Sequence, residues 1–353
     1  MRISVPTIPQ AVLTNTSATK PITPAAAIER IAAFLGPGNV SVITGAGVSV
    51  DSGIRAYRGE KGRYLNPNYK PIFYHELMDE TPRGFAFRQR YWLRSYLGYQ
   101  PVRDALPNTT HYALAALQYK SVIPKLITQN VDGLHHKALR NVWNEDTLRE
   151  RILELHGSLH KVHCKHGHIV DRNTFQDWLS AANPQWKEYS DNLEATGQKP
   201  RTNPDGDVPV ELEGVSYDDF VVPECPTCLQ EGRRNSVQKP ELIFFGESIR
   251  PEVRERSFHD VETCDRLFLI GTTLATFSAY RLLKHALELR KPVLMLNVGP
   301  TRADGLPGLE KIEIPSGTIL RDVVRAVLGS DASYDPVVRD MLSSGVVKPP
   351  QDD

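Results

Sequence analysis

The chain reads as an α/β protein: a parallel sheet with helices on both faces, plus a small inserted module. Three observations predict it. Short apolar, β-branched runs alternate with capped helical stretches over most of the 353 residues. The first such run, Asn39-Val40-Ser41-Val42-Ile43-Thr44, breaks directly into Gly45-Ala46-Gly47. Residues 160–238 interrupt the alternation, being polar, rich in Pro and Gly, and home to three of the four cysteines.

The elements follow in order. Thr23-Pro24 caps a helix over Ala25–Leu35, which Gly36 and Pro37 end. The strand Val40–Thr44 comes next, then an aromatic, helix-rich stretch over Pro71–Leu97. Pro107-Asn108 opens a helix over His111–Tyr119. Val122–Thr128 is strand-like and runs into Gln129-Asn130-Val131-Asp132, and Arg151–Leu155 is a short strand ending at His156-Gly157. Past the module, Glu241–Phe245, Arg266–Ile270 and Val293–Asn297 read as three more strands, with helices over Ser278–Leu289 and Ile319–Leu328. The expected division is an N-terminal arm (1–22) and a Rossmann-type domain (23–159 and 239–330) with a helical excursion at 60–106. A module (160–238) and a polar tail (331–353) expected to fray complete it.

Composition excludes several classes. Lys plus Arg equals Asp plus Glu at 42 each, so no net field favours nucleic acid or an anionic membrane. No apolar run approaches the roughly 18–20 residues of a membrane span. Four cysteines do not make a disulfide scaffold, and Cys225-Pro226-Thr227-Cys228 points to metal in a reducing compartment. A monomer is expected. The first acidic residue is Glu29, preceded by only Arg2 and Lys20 as bases. A mitochondrial targeting arm or a plain disordered arm fits that composition, the latter leaving the cytoplasm or nucleus.

A strand that breaks into Gly-Ala-Gly lets backbone N–H groups approach a phosphate with no Cβ in the way. Val50 stands where the dinucleotide fingerprint needs its third glycine. No acidic ribose ligand follows about 20 residues on; the chain there is the loop-like Glu60-Lys61-Gly62-Arg63-Tyr64-Leu65-Asn66-Pro67-Asn68-Tyr69. A dinucleotide site without hydride chemistry is the expectation. The other strand ends are polar too: Gln129-Asn130-Val131-Asp132-Gly133-Leu134-His135, His156-Gly157, Phe245-Gly246-Glu247, Gly271-Thr272-Thr273-Leu274 and Asn297-Val298-Gly299. Ligands in such sheets bind at the carboxyl edge, where all six would converge.

Taken together, Gly45-Ala46-Gly47-x-Ser49-x-x-Ser52-Gly53-Ile54, Gln129-Asn130-Val131-Asp132-x-Leu134-His135, Leu155-His156-Gly157, Cys225-x-x-Cys228 and Lys239-Pro240-x-x-x-Phe244-Phe245-Gly246-Glu247 resemble the sirtuins, NAD-dependent protein lysine deacylases. The resemblance runs from about Ala25 to Leu328. Arg88-Gln89-Arg90-Tyr91-Trp92, Pro204-Asp205-Gly206-Asp207-Val208 and Leu296-Asn297-x-Gly299-Pro300-Thr301-Arg302 resemble the class II, sirtuin-4-like branch.

The resemblance implies NAD as co-substrate and acyl-lysine proteins as substrates, the acyl group passing to ADP-ribose with release of nicotinamide. Mono-ADP-ribosyl transfer and a weakly active NAD-binding homologue are the alternatives. His156 would be the general base, its ordinary pKa of about 6.5 suiting the task. Asp132 would hold the nicotinamide carboxamide, and Asn130 and Gln129 the ribose region. Ser49 and Gly271-Thr272 would hold the phosphates beside Gly45-Ala46-Gly47, Asn297 would hold the adenosine side, and Gly53, Thr273, Gly299 and Ile319 would also contact the cofactor. Tyr57 and Arg58 would belong to the cofactor loop, where Arg55-Ala56 replaces the usual Pro-Asp. Phe245, Gly246 and Glu247 would clamp the substrate backbone as an added strand.

The resemblance implies a structural zinc on Cys225, Cys228, Cys164 and, with the family's Cys-Gly aligned on His166-Gly167, His166, with His168 as second choice within Cys164-Lys165-His166-Gly167-His168. A module held by packing without zinc is the alternative, and Cys264 reads as a core thiol. Tyr91 and Arg94 are spaced to share a helix face. They would read an acidic acyl chain; a core Tyr beside a surface Arg is the plainer alternative.

Overall fold

The computed structural model describes residues 5–14, 21–58, 62, 64, 70–198, 216–235 and 237–349. Most of the loop read at 60–69, and the segment Pro204–Val208, lie outside the described residues. Two compact units emerge. The larger comprises Pro6–Leu65, Ala105–His156 and Ile249–Asp353; the smaller comprises Met1–Val5, Asn66–Asp104 and Gly157–Ser248.

In the larger unit β1 (Val40–Thr44) is buried along its whole length, as a central parallel strand must be. Around it run β2 (Lys125–Thr128), β3 (Ile152–Glu154), β7 (Arg266–Ile270), β8 (Val293–Leu296) and β9 (Leu309–Ile312), all parallel, in the order β3-β2-β1-β7-β8-β9. Side chains alternate between two cores. Val40, Val42, Phe268 and Ile270 face one, covered by helices Pro24–Leu35, Thr109–Tyr119 and Ser316–Leu328. Ile43, Leu267 and Leu269 face the other, covered by helix Phe277–Glu288 through Leu282 and Leu283. Strand order reverses between β1 and β7, the place where doubly wound sheets open a crevice.

The smaller unit holds an antiparallel sheet, β5-β4-β6, of β4 (Gly157–Cys164), β5 (Ile169–Asp171) and β6 (Gln238–Leu242). Trp92 and Tyr96 from helix Pro82–Arg103 share its core with Phe175, Trp186 and Phe220.

Three expectations need correction. The run Glu241–Phe245 is not a strand of the parallel sheet: β6, paired with β4, ends at Leu242, Phe245 keeps only an isolated bridge to Phe73, and Phe244 packs edge-on to Tyr91, 5.7 Å between centroids. The sixth parallel strand is Leu309–Ile312 instead, an edge strand with only Ile312 fully buried, so its two central charged residues, Glu310 and Lys311, hid it. The tail does not fray before residue 343: helix Pro336–Ser343 buries Val338, Met341 and Leu342 in the first core. The helical excursion also groups with the smaller unit, because Trp92, Leu93 and Tyr96 need that core.

Candidate functional site

Because the large sheet is parallel, the turns after β1, β2, β3, β7 and β8 open at one edge. The chain leaves β1 through Gly45 into a 3₁₀ turn, Ala46–Ser52, closed by Gly53 in the left-handed region. A Cβ on Gly45 would lie 2.7 Å from Thr272 Cβ, and one on Gly47 would lie 2.8 Å from Gly271 Cα. Only glycine lets the turns after β1 and β7 close backbone to backbone. The Gly47 N–H donates to Gly271 O at 2.8 Å.

Beneath the turn lies a buried polar network. Ser49 donates its hydroxyl proton to Asp132 Oδ2 at 2.8 Å, since a carboxylate only accepts. Ser49 Oγ accepts from Asn130 Nδ2 at 3.0 Å, and Asn130 also donates to Gly45 O. Leu134 N–H donates to Asp132 Oδ1, fixing the carboxylate. Gln129 Nε2 donates to Thr272 Oγ1 at 2.8 Å, and Gln129 Oε1 accepts from Thr276. Asn297 is buried, its amide turned onto the carbonyls of Val298 and Gly299.

His156 follows β3. Its Nδ1 lies 3.1 Å from Gln129 O and its Nε2 2.8 Å from Ser278 Oγ. A carbonyl only accepts, so Nδ1 carries the proton and Nε2 presents a lone pair. Burial pushes the His156 pKa down to about 4, against the opposing hydrogen bond to Gln129. The imidazole is therefore neutral and basic at Nε2 at physiological pH.

Two histidines to which the sequence assigns no role lie alongside. The His111 and His135 rings stand 4.8 Å apart, both essentially inaccessible. His111 Nε2 lies 3.4 Å from Ser49 Oγ, and His135 Nε2 lies 3.0 Å from Thr44 Oγ1. Burial lowers His111 to about 4 and His135 well below its ordinary value. Unfolding restores an ordinary value of about 6.5, so the unfolded chain binds more protons between those values. Stability is thus full above pH 6.5 and falls as the pH drops toward 4. His111 alone contributes on the order of 3 kcal/mol across that window. Denaturant midpoints measured from pH 7.5 to 4 check this; a flat profile contradicts it.

Three expected cofactor residues also pack against other parts of the fold. The Ile319 side chain, 2% exposed, belongs to the apolar core. Arg58 donates to Pro6 O at 2.7 Å and lies 4.9 Å over the Tyr64 ring, while Tyr57 stacks on Tyr64. Burial lowers the Arg58 pKa.

In the smaller unit, Cys164, His168, Cys225 and Cys228 converge, their ligand atoms all within 4.8 Å of one another. His168 Nδ1 lies 3.5, 3.6 and 3.4 Å from the sulfurs of Cys164, Cys225 and Cys228, and Cys164 Sγ lies 3.8 Å from Cys228 Sγ. A tetrahedral zinc about 2.3 Å from sulfur and 2.05 Å from nitrogen gives edges of about 3.8 Å (S···S) and 3.6 Å (S···N). The donors fit zinc. The expected ligand His166 is corrected to His168: the turn folds residue 168 back on Cys164, whose N–H donates to His168 O. His166 instead gives its backbone N–H to Cys164 Sγ. His168 Nε2 faces Glu231 at 3.5 Å, an orienting carboxylate of the usual outer-shell kind.

Helix Pro82–Arg103 carries Tyr91, buried edge-on between Trp92 and Phe244, with Arg94 half-buried one turn on. Glu247 is held by an ion pair with buried Lys239 at 2.7 and 2.9 Å, and accepts from Phe244 N–H. Its carboxylate builds the Phe244–Glu247 loop, and Phe245 O accepts from Tyr74 N–H.

Residues 45–278 match the model of the Sir2 family. The chain belongs to the Sir2 family. It is 38% identical over 295 residues to "NAD-dependent protein deacylase SIR4" of Batrachochytrium dendrobatidis, covering 82% of this chain and 90% of that one. It is 37% identical to "NAD-dependent protein deacylase Sirt4" of Drosophila melanogaster, covering 83% and 85%. A Xanthomonas campestris relative, 37% identical over 76% of this chain and 81% of its own, is named "NAD-dependent protein deacetylase". Among solved structures, one described as "Structural Basis for the Mechanism and Regulation of Sir2 Enzymes" superposes with TM-score 0.58 at 26% identity, covering 85% of this chain and 97% of that one.

Proposed function

We propose that this Sir2-family chain is an NAD-dependent protein lysine deacylase, transferring the acyl group of acyl-lysine to ADP-ribose and releasing nicotinamide. The observation that carries the reading is His156: neutral, with a free-base Nε2, on the sheet edge that also holds the Gly45–Gly53 turn and the Gln129–Asp132 loop. Bound NAD supplies an electrophilic ribose carbon once nicotinamide departs. Asp132, fixed by Ser49 and Leu134, is placed to orient a carboxamide. Asn130 and Gln129 line the ribose side, and the turns at Gly45–Gly47 and Gly271–Thr273 take the phosphates. His156 Nε2 takes a proton from a ribose hydroxyl, with Ser278 occupying that lone pair beforehand. Relatives named NAD-dependent protein deacylases support the reading. The zinc site is structural, since four protein ligands leave no open position.

The test is a panel of acetyl-, long-chain-, succinyl-, glutaryl- and hydroxymethylglutaryl-lysine peptides with NAD, read by mass spectrometry. Deacylated peptide with acyl-ADP-ribose supports the reading; ADP-ribosylated protein without deacylation refutes it. The arm before Glu29 and the Sirt4-named relative favour a mitochondrial location, checked by fractionation.

Tyr91 and Arg94 are our choice for the acyl selector. A carboxylate entering an apolar pocket unpaired costs several kcal/mol, and Arg94 on the face of Tyr91 supplies the partner. Dicarboxylic acyl-lysines should be preferred. Arg94→Met should cost such substrates roughly 2–5 kcal/mol in kcat/KM while sparing neutral chains. An unchanged ranking removes the assignment.

A further inference from the structure

We propose that residues 344–348 are a working part of the cofactor site, a C-terminal strap that holds the Ala46–Ser52 turn in its binding shape. The inference rests on reading that turn as the dinucleotide cradle. The strap is anchored upstream by helix Pro336–Ser343, and Ser344 O accepts from the Arg321 guanidinium. At Gly345 φ is +107°, and a Cβ there would lie 2.6 Å from Thr109 N and 2.7 Å from Asn108 C. Only glycine lets the chain press against the start of helix Thr109–Tyr119. Val346 then pairs with Asn108 in a parallel bridge, its N–H donating to Pro107 O at 3.2 Å. Lys348 N–H donates to Asp51 O at 2.7 Å, while its side chain is exposed.

Asn108 completes the grip. It is wholly buried, and its Nδ2 donates to Val48 O at 2.7 Å. The turn is thus held from outside at Val48 and Asp51, on either side of Ser49, the residue that orders Asp132. It needs such support. Seven residues is long for a 3₁₀ helix, whose hydrogen bonds are poorer than those of an α-helix, and Gly47 adds backbone freedom. None of the strap residues belongs to the matched family region, 45–278. They hold the turn at Asp51 and, through Asn108, at Val48, so they position the cofactor turn and leave the chemical step alone.

Lys348→Pro deletes the N–H donor and keeps the strap; Gly345→Ala forces the strap away; truncation after Ser343 removes it. Lys348→Ala, which keeps the N–H, is the control. For Lys348→Pro we expect the KM for NAD and the Kd for ADP-ribose to rise roughly three- to tenfold, as for one lost hydrogen bond. The other two variants should lose more, with kcat at saturating NAD within about twofold of wild type. Amide exchange at residues 48–54 should quicken while that of β1 and β7 holds. Wild-type exchange in the turn of all three variants overturns the strap, and so does wild-type ADP-ribose affinity. Failure of ADP-ribose to protect residues 45–53 in the wild-type protein instead overturns the reading of the turn as the cradle.

Discussion

His156→Ala lowers deacylation by roughly 10²–10⁴-fold, the range for removing a positioned base, and leaves ADP-ribose affinity near wild type. The argument is geometric before it is electrostatic. The Gln129 carbonyl fixes the proton on Nδ1, so Nε2 is the basic atom in every neutral molecule. The lowered pKa, about 4, adds a second signature. Protonation abolishes the base, so the acid limb of kcat/KM in the free enzyme should fall near pH 4 rather than near 6.5. In the Ala variant that limb should vanish along with the rate. Ser278 and Gln129 should tolerate the smaller side chain, so the melting temperature should move little. A His156→Ala protein with near-normal turnover, or one losing ADP-ribose binding in step with activity, would sink the assignment.

The parts of this site that were legible in the sequence are those where backbone chemistry constrains residue type. Gly45 and Gly47 announce a close approach, and the turn after β7 meets them there. Strands β1, β7 and β8 were readable because full burial demands unbroken apolar runs. β9 escaped because an edge strand buries few side chains, and Glu310 and Lys311 disguise it. Glu241–Phe245 misled for the opposite reason. Phe244 serves the smaller core from the loop after β6, and hydropathy does not separate the two cases.

Residues brought together only by tertiary structure were hidden. Nothing local marks Ser278 as the partner of His156, 122 positions away. His111 reads as an ordinary residue of its helix, yet it makes the capping box with Asn108 and turns its other nitrogen to Ser49. The Val346 and Lys348 contacts depend on a tail whose composition resembles a frayed end. His168 was a matter of register. Aligning the family's Cys-Gly on His166-Gly167 favours His166, whereas the turn from Cys164 places residue 168 across from it and gives residue 166 only a backbone role.

That distinction bears on the other large effect expected, removal of the metal. Zinc in four-ligand sites contributes an apparent ~10–16 kcal/mol at neutral pH, comparable with the whole stability of a domain at about 5–15 kcal/mol. Three thiols and an imidazole crowded within 4.8 Å gain little by staying together without an ion, since each thiolate formed repels the next. Burial pushes the Cys164 pKa up, but hydrogen bonds from the His166 and His168 backbone and from the Cys228 and Cys225 thiols together draw it below its ordinary value, the direction a metal ligand requires. Asn235 Nδ2 donates to Cys228 Sγ in support. Chelation should therefore melt the smaller unit, seen as lost near-ultraviolet dichroism from Trp92, Trp178 and Trp186. Activity should return only with refolding in zinc. Cys228→Ser and His168→Ala should each lower zinc content and melting temperature sharply. His166→Ala should change neither by much, because its contribution is a backbone N–H. Equal damage from the two histidine variants would return the ligand assignment to His166, and well-folded, active protein without zinc on elemental analysis would remove the metal altogether.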